Sequence, residues 1–321
     1  MKVFISREIL DAGRQVLQAA NIEYTQFMEK RVLHSDELIT FCKGYDALLN
    51  ASGNKMDAHF LLSCSHLKVI ALHSVGYDNV DVETATKLRI PVGNTPGVLS
   101  NATADTAFLL MLATSRKAFF MHNCIAKGDW KYFEPAANLG VELYGKTLGI
   151  FGLGSIGYEM ARRCKHAYGM KVIYHNRGSN AAAEKDLGAT KVSFDALLQQ
   201  SDVLSVHCAL TPETKEIFNA AVFNKMKSSA IFINTSRGGV HNEQDLTKAL
   251  QQHIIWGAGL DVTNPEPMLP NNPLLDMPNV CILPHIGSAT FEARSAMSRL
   301  AAENIVAGLN GRPLPNWVNP F

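Results

Sequence analysis

The sequence predicts an α/β protein built from two doubly wound parallel-sheet domains. Short apolar segments alternate with amphipathic ones along the whole chain, the pattern of parallel strands joined by crossover helices. The length of 321 residues exceeds that of one ordinary domain. Hydrophobic residues make up 47% and charged residues 18%, the balance of a soluble chain with a sizeable core. A first series of strands opens with "KVFIS" and continues at "DALLN", "KVIAL" and "IPVG", with amphipathic stretches at Ser35 to Lys43 and Asp81 to Leu88. It ends at the turn cluster "GNTPGVLSNAT", where Ser100 or Asn101 is placed to cap a long apolar helix from about Ala102 to Ala118. The aromatic segment "HNCIAKGDWKYFEPAANLGVELYGK" is too long for a simple connector. The second series is stronger: "TLGIFG", "KVIYH", "DVLSVH", "AIFINT", "GAGLDV" and "VCILPH". A last amphipathic helix spans about Phe291 to Leu309. Open sheets of this kind bind ligands at the carboxyl ends of their strands, so the expected ligand site is a cleft between the two domains.

Charge excludes some functions. Lys and Arg number 30 against 29 Asp and Glu, a formal charge of +1 that gives no electrostatic case for nucleic acid or an anionic membrane. No apolar run approaches the ~20 residues of a membrane span. The start "MKVFISREIL" passes from strand into charged residues without a signal-peptide core, so a cytoplasmic protein is expected. Cys42, Cys64, Cys124, Cys164, Cys208 and Cys281 are scattered, with no metal-ligand spacing, and read as reduced thiols; no metal is expected.

The chemistry starts at "GIFGLGSIGYEMARRC". Gly152-x-Gly154-x-x-Gly157 follows an apolar strand and opens a helix. Gly152 permits the tight turn, Gly154 lets the backbone approach a pyrophosphate, and Gly157 lets the helix pack on the strand. Alone, such glycines mark only a tight turn. Between strand and helix, with a second strand ending about 20 residues on, they predict a dinucleotide site, the pyrophosphate meeting amides near Ser155 and Ile156.

That second strand ends in "KVIYHNRGSN". An NAD site places a carboxylate here to accept from the ribose hydroxyls, but Asn176 stands in its place and Arg177 follows. Losing the acid and gaining a guanidinium suits the 2′-phosphate of NADP. Ser179 and the amides of Gly178 and Asn180 are candidate further donors. NADP is the expected cofactor, with NAD the weaker alternative.

Three polar residues stand at later strand ends: Arg237 in "FINTSRGG", Glu266 in "GLDVTNPEP" and His285 in "VCILPHIGSA". Each alone has an ordinary explanation, as a turn residue, a surface carboxylate or a helix cap. Together at the mouth of a nucleotide sheet they form a candidate catalytic set.

With these residues and with "HSVGYDNVD", "NTPGVLSNATAD" and "HCALTPET", the chain resembles the D-isomer-specific 2-hydroxyacid dehydrogenases over nearly its whole length, most of all their glyoxylate/hydroxypyruvate reductases. The resemblance implies a Rossmann-type nucleotide domain, residues 100–287, inserted into a smaller flavodoxin-like substrate-binding domain formed by residues 1–99 and 288–321. It implies a homodimer joined through the nucleotide domain, with the segment around Trp130 reaching the partner. Arg237 would pair with the substrate carboxylate and carbonyl, His285 would be the general acid, and Glu266 would hold His285 protonated. The amides of Val75 and Gly76 would bind the carboxylate from its other side. Asp261 would sit near the nicotinamide carboxamide, with Thr103, Cys208 and Thr235 lining the cofactor. The physical chemistry agrees: a carboxylate beside an imidazole favours its acid form, and a guanidinium is a natural fork for a carboxylate.

The loop "NASGNKM" is small and polar, with Ser52 and Asn54 placed to meet a substrate hydroxyl, so glyoxylate and hydroxypyruvate are the expected substrates. Related corepressors share the fold and the same three residues but use the nucleotide as a ligand. Formate dehydrogenase-like members carry glutamine where this chain has Glu266. A phosphoglycerate dehydrogenase needs cations for its phosphate, and this loop offers only Lys55. A 2-ketogluconate reductase stays open.

Overall fold

A computed structural model describes residues 1–321. The chain separates into two compact units, Met1–Leu99 with Ser288–Phe321, and Ser100–Gly287.

The smaller unit holds a five-stranded parallel sheet. Its strands are β1 (Lys2–Ile5), β2 (Glu23–Gln26), β3 (Ala47–Asn50), β4 (Val69–Leu72) and β5 (Val92–Gly93), in the order β2-β1-β3-β4-β5. This is the flavodoxin-like doubly wound order. Strands β3 and β4 are buried along their length, which is why they read as unbroken apolar runs. Helices Asp11–Ala19 and Phe291–Leu309 cover one face through Leu17, Ala301, Ala302 and Ile305. Strand β2 is absent from the expectation. It is an edge strand, half exposed and polar, and carries no apolar signal.

The larger unit holds a seven-stranded parallel sheet: β6 (Thr147–Phe151), β7 (Lys171–His175), β8 (Thr190–Lys191), β9 (Val203–Val206), β10 (Ile231–Asn234), β11 (Gly257–Leu260) and β12 (Val280–Ile282). The order is β12-β11-β10-β9-β6-β7-β8. Strand order reverses between β6 and β9, the switch point at which such sheets bind ligands. Successive residues feed two cores. Leu148, Ile150, Val172, Tyr174 and Ile233 pack on one face, while Phe151, Ile173, Leu204, Val206 and Phe232 pack on the other. Both faces are covered, so the strands are apolar throughout. Strand β8, two exposed residues at the edge, is invisible to that pattern.

The helix expected over Ala102 to Ala118 is corrected in two ways. It runs Ser100–Ser115, so Ser100 and Asn101 lie within its first turn rather than capping it. Asn101 Oδ1 instead accepts from Arg163 Nη2 at 3.1 Å. The helix then breaks where Lys117 turns left-handed (φ 54°), and a separate helix, Ala118–Ala126, fully buries none of its side chains. Beyond it Trp130, Tyr132 and Phe133 are exposed, Phe133 by 81%. No helix is long and apolar enough to cross a membrane.

Candidate active site

The loops that follow β10, β11 and β12 carry the three candidate catalytic residues. After β10, the buried Asn234 shapes the turn. Its Oδ1 accepts from the Ser236 amide at 2.9 Å and hydroxyl at 2.8 Å, and its Nδ2 donates to the Arg237 carbonyl at 2.9 Å. Arg237 is half-buried, with Nη1 donating to the Ser236 carbonyl at 2.9 Å. A Cβ on Gly238 would lie 1.9 Å from the Thr263 carbonyl oxygen, so only glycine lets this loop rest on the one after β11. That close approach accounts for the first glycine of "SRGG".

Glu266 stands in the loop after β11, and its Oε2 is 3.5 Å from the Thr263 amide. Its Oε1 accepts a hydrogen bond from His285 Nδ1, which leaves Nε2 as the ring nitrogen available for proton exchange. Burial pushes the Glu266 carboxyl up. The His285 hydrogen bond and charge, the Thr263 amide and the Arg237 charge outweigh it, and the group lies below its usual range.

His285 has a left-handed backbone, φ 54°. Asp261 builds that turn. Its carbonyl accepts from the His285 amide at 2.9 Å, and its carboxylate accepts from the Ile286 and Gly287 amides at 2.8 and 2.7 Å. Asp261 is almost fully buried, and burial raises its carboxyl above the ordinary range against the pull of those two amides. Thr103 lies beside it: a Cβ on Gly287 would meet Asp261 Oδ2 at 2.8 Å and Thr103 Cγ2 at 3.3 Å.

The glycine loop divides its labour. Gly152 has φ 94°, and a Cβ there would come within 2.7 Å of the Cys208 amide nitrogen. A Cβ on Gly157 would lie 2.8 Å from the Gly152 carbonyl oxygen. The first and third glycines therefore answer to the protein's own packing. Around Gly154 a Cβ would meet nothing within 4 Å, so the loop is open where a pyrophosphate would approach. Gly154 is the N-cap of helix Ser155–Tyr168 and offers no side-chain cap. The amides of Ser155 and Ile156 lack intrahelical partners by geometry, and the residues fit a dinucleotide.

Around this loop, the Cys208 thiol is pushed up to about 12 by burial and stays neutral. Thr235 Oγ1 is 3.5 Å from Nδ1 of His207, a half-buried residue that the sequence reading passed over. His207 Nε2 is 2.8 Å from Ser205 Oγ, and burial pushes the ring down to about 3. Asn176 faces the loop rather than solvent: its Oδ1 accepts from the Leu153 amide at 2.6 Å and its Nδ2 donates to the Leu153 carbonyl at 3.2 Å. Arg177, Gly178 and Ser179 are exposed. The Asn180 amide, expected as a free donor, is spent on the Tyr174 hydroxyl at 2.8 Å. One cation escaped the sequence reading: Lys191, on edge strand β8, donates to the Arg177 carbonyl at 3.1 Å.

In the smaller unit, the Ser74 carbonyl accepts from the Thr95 amide at 2.9 Å and the Val75 carbonyl from Asn94 Nδ2 at 2.8 Å. A trans peptide points its N–H opposite its C=O, so the Val75 and Gly76 amides both point away from the 94–95 segment. Ser52 departs from expectation. Its hydroxyl lies 2.9 Å from both Asn50 Oδ1 and Ser6 Oγ, and it bonds Asn54 Oδ1, so it builds its own loop. No group of three or more His, Cys, Asp or Glu side chains is placed to hold a metal ion.

Comparison with known proteins supplies the remaining finding. Residues 108–287 match the family model described as D-isomer specific 2-hydroxyacid dehydrogenase, NAD binding domain. A glyoxylate reductase from Thermococcus litoralis is 43% identical over 322 residues, spanning 99% of this chain and 96% of that one. The crystal structure of a glyoxylate reductase from Paecilomyes thermophila superposes with a TM-score of 0.87 at 34% identity, covering 99% of this chain and 98% of that one. An NADPH-dependent glyoxylate/hydroxypyruvate reductase from Sinorhizobium meliloti, in complex with NADP and malonate, superposes with a TM-score of 0.84 at 30% identity over 99% and 96%.

Proposed function

This chain belongs to the D-isomer-specific 2-hydroxyacid dehydrogenase family, and from that premise we propose that it reduces glyoxylate and hydroxypyruvate to glycolate and D-glycerate, with NADPH preferred over NADH. The observation that carries the reading is the His285–Glu266 pair, set with Arg237 on loops of the same sheet that bears the glycine loop. His285 gives the proton at Nε2 to the carbonyl oxygen, and ionised Glu266 stabilises the imidazolium that gives it. Arg237 forks the carboxylate. In the smaller unit, the Val75 and Gly76 amides are the proposed carboxylate donors. When bound, the cofactor supplies the hydride. Ser155 and Ile156 would hold its pyrophosphate, Asp261 would sit near its nicotinamide carboxamide, and Thr103, Cys208 and Thr235 would line it.

Preference for NADPH rests on the missing acid at position 176, on Arg177 and Ser179 in one exposed loop, and on Lys191 of β8, which bonds that loop. The name of the Sinorhizobium meliloti relative supports it. The reading includes a cytoplasmic homodimer, in which a second copy covers the exposed aromatic segment around Trp130; sedimentation of the purified protein as a monomer would remove that part.

The test is a matrix of NADPH and NADH against glyoxylate, hydroxypyruvate, pyruvate, phenylpyruvate and 3-phosphohydroxypyruvate, reported as kcat/KM. The first two acids with NADPH should lead. Phenylpyruvate outrunning both would overturn the substrate assignment, and the absence of any turnover would point to a nucleotide-sensing role.

A further inference from the structure

We propose that Asn176 and Asn180 form a two-amide clamp on the peptide groups of Leu153 that holds the glycine loop in the shape a pyrophosphate needs. Position 176 is then a positioning residue that cannot be exchanged for an acid without cost. The inference rests on the dinucleotide reading above and deepens it.

Leu153 lies between the first two glycines of the loop. Asn176 meets both of its backbone polar groups, Oδ1 taking the N–H at 2.6 Å and Nδ2 giving to the C=O at 3.2 Å. Asn180 Nδ2 gives to the same carbonyl at 3.0 Å. Asn180 is fixed from behind. Its Oδ1 accepts from the Ala183 amide at 3.1 Å, capping helix Ala181–Leu187, and its amide donates to the Tyr174 hydroxyl at 2.8 Å. That hydroxyl donates to Glu184 Oε1 at 2.6 Å, and the Tyr174 ring is fully buried. The Leu153 side chain is buried in the core, but its neighbours on both sides are glycines, so packing leaves its peptide groups free to turn and the clamp fixes them from the end of β7.

The consequence is chemical. A side-chain amide both accepts and donates, whereas a carboxylate only accepts. The acid that an NAD site wants at the end of this strand would lose the bond to the Leu153 carbonyl and set a negative charge against that oxygen. A carboxylate at position 176 therefore gives up donation to the loop in order to accept the ribose hydroxyls with a full charge.

The test uses the full-length protein with inorganic pyrophosphate, which has neither ribose hydroxyls for an acid to grip nor nicotinamide, titrated calorimetrically at about pH 8 and about pH 4, where an ordinary Asp carboxyl is about half protonated. Asn176→Asp should weaken pyrophosphate about tenfold relative to the unmodified protein at the higher pH. The deficit should shrink at the lower pH, because a protonated carboxyl regains a donor and mimics the amide. KM for NADPH should rise by a larger factor than kcat falls. Asn180→Asp keeps the helix cap and should show a smaller deficit with the same pH recovery; it decides the matter if Asn176→Asp fails to fold. Pyrophosphate bound as tightly or more tightly by Asn176→Asp at the higher pH would overturn the clamp, as would a deficit equally deep at both. NADPH preference is read separately, from 2′,5′-ADP against 5′-AMP on the unmodified protein, so its failure is distinguishable.

Discussion

His285 and Glu266, 19 residues apart in the chain, are joined by a hydrogen bond from the imidazole Nδ1 to the carboxylate Oε1. The Glu266 carboxyl lies below its usual range, so it is ionised throughout the neutral region. Glu266→Gln removes that charge and leaves a weaker hydrogen-bond partner. Reduction needs the acid form of His285, so the alkaline limb of its kcat profile should move to lower pH. Superimposable profiles for the two proteins would show that Glu266 does not act on the proton donor.

Loss of the proton donor and loss of the carboxylate fork have different kinetic signatures. His285→Gln should lower kcat for glyoxylate reduction by roughly 10²-fold or more. Arg237→Ala should raise KM as well as lower kcat, because the guanidinium holds the ground-state carboxylate too. A His285→Gln enzyme with near-normal kcat would move the acid elsewhere.

The cofactor assignment is tested at Arg177, exposed beyond β7. NADPH should be preferred over NADH by about tenfold or more in kcat/KM. Arg177→Ala should remove most of that preference by weakening NADPH alone. Equal use of both cofactors by the unmodified protein would defeat the argument from positions 176 and 177.

Mild acid should destabilise the fold. Burial pushes His207 down to about 3 and His241 to about 4, and burial with the Arg294 charge pushes His73 to about 4. Below the unfolded value of about 6.5 the unfolded chain binds protons that the folded chain refuses. Stability therefore falls as pH drops from about 6.5 toward 4, by up to ~1.4 kcal/mol per pH unit for each such histidine. Urea midpoints measured at pH 7 and pH 5 check this, since the carboxylates held below their usual range begin to lose their contribution only at lower pH. An unchanged midpoint would mean that these rings take up protons without cost.

The sequence by itself determined the order of most strands and helices, the glycine loop, and the placement of Arg237, Glu266 and His285 at strand ends. Those signals are local: apolar runs sized to buried strands, glycines at fixed spacing, polar residues just past an apolar run. Edge strands β2 and β8 and the break at Lys117 lacked such a signal, because an edge strand has one neighbour to satisfy and a left-handed lysine leaves no mark in composition. Tertiary structure alone decided which polar groups remain for a ligand. Asn176 is 23 residues from Leu153, and Ser52 is 46 residues from Ser6, yet each has its side chain engaged there. A hydrogen-bonding group has few partners to give, and whether they are already taken depends on backbone that the chain brings back from far away.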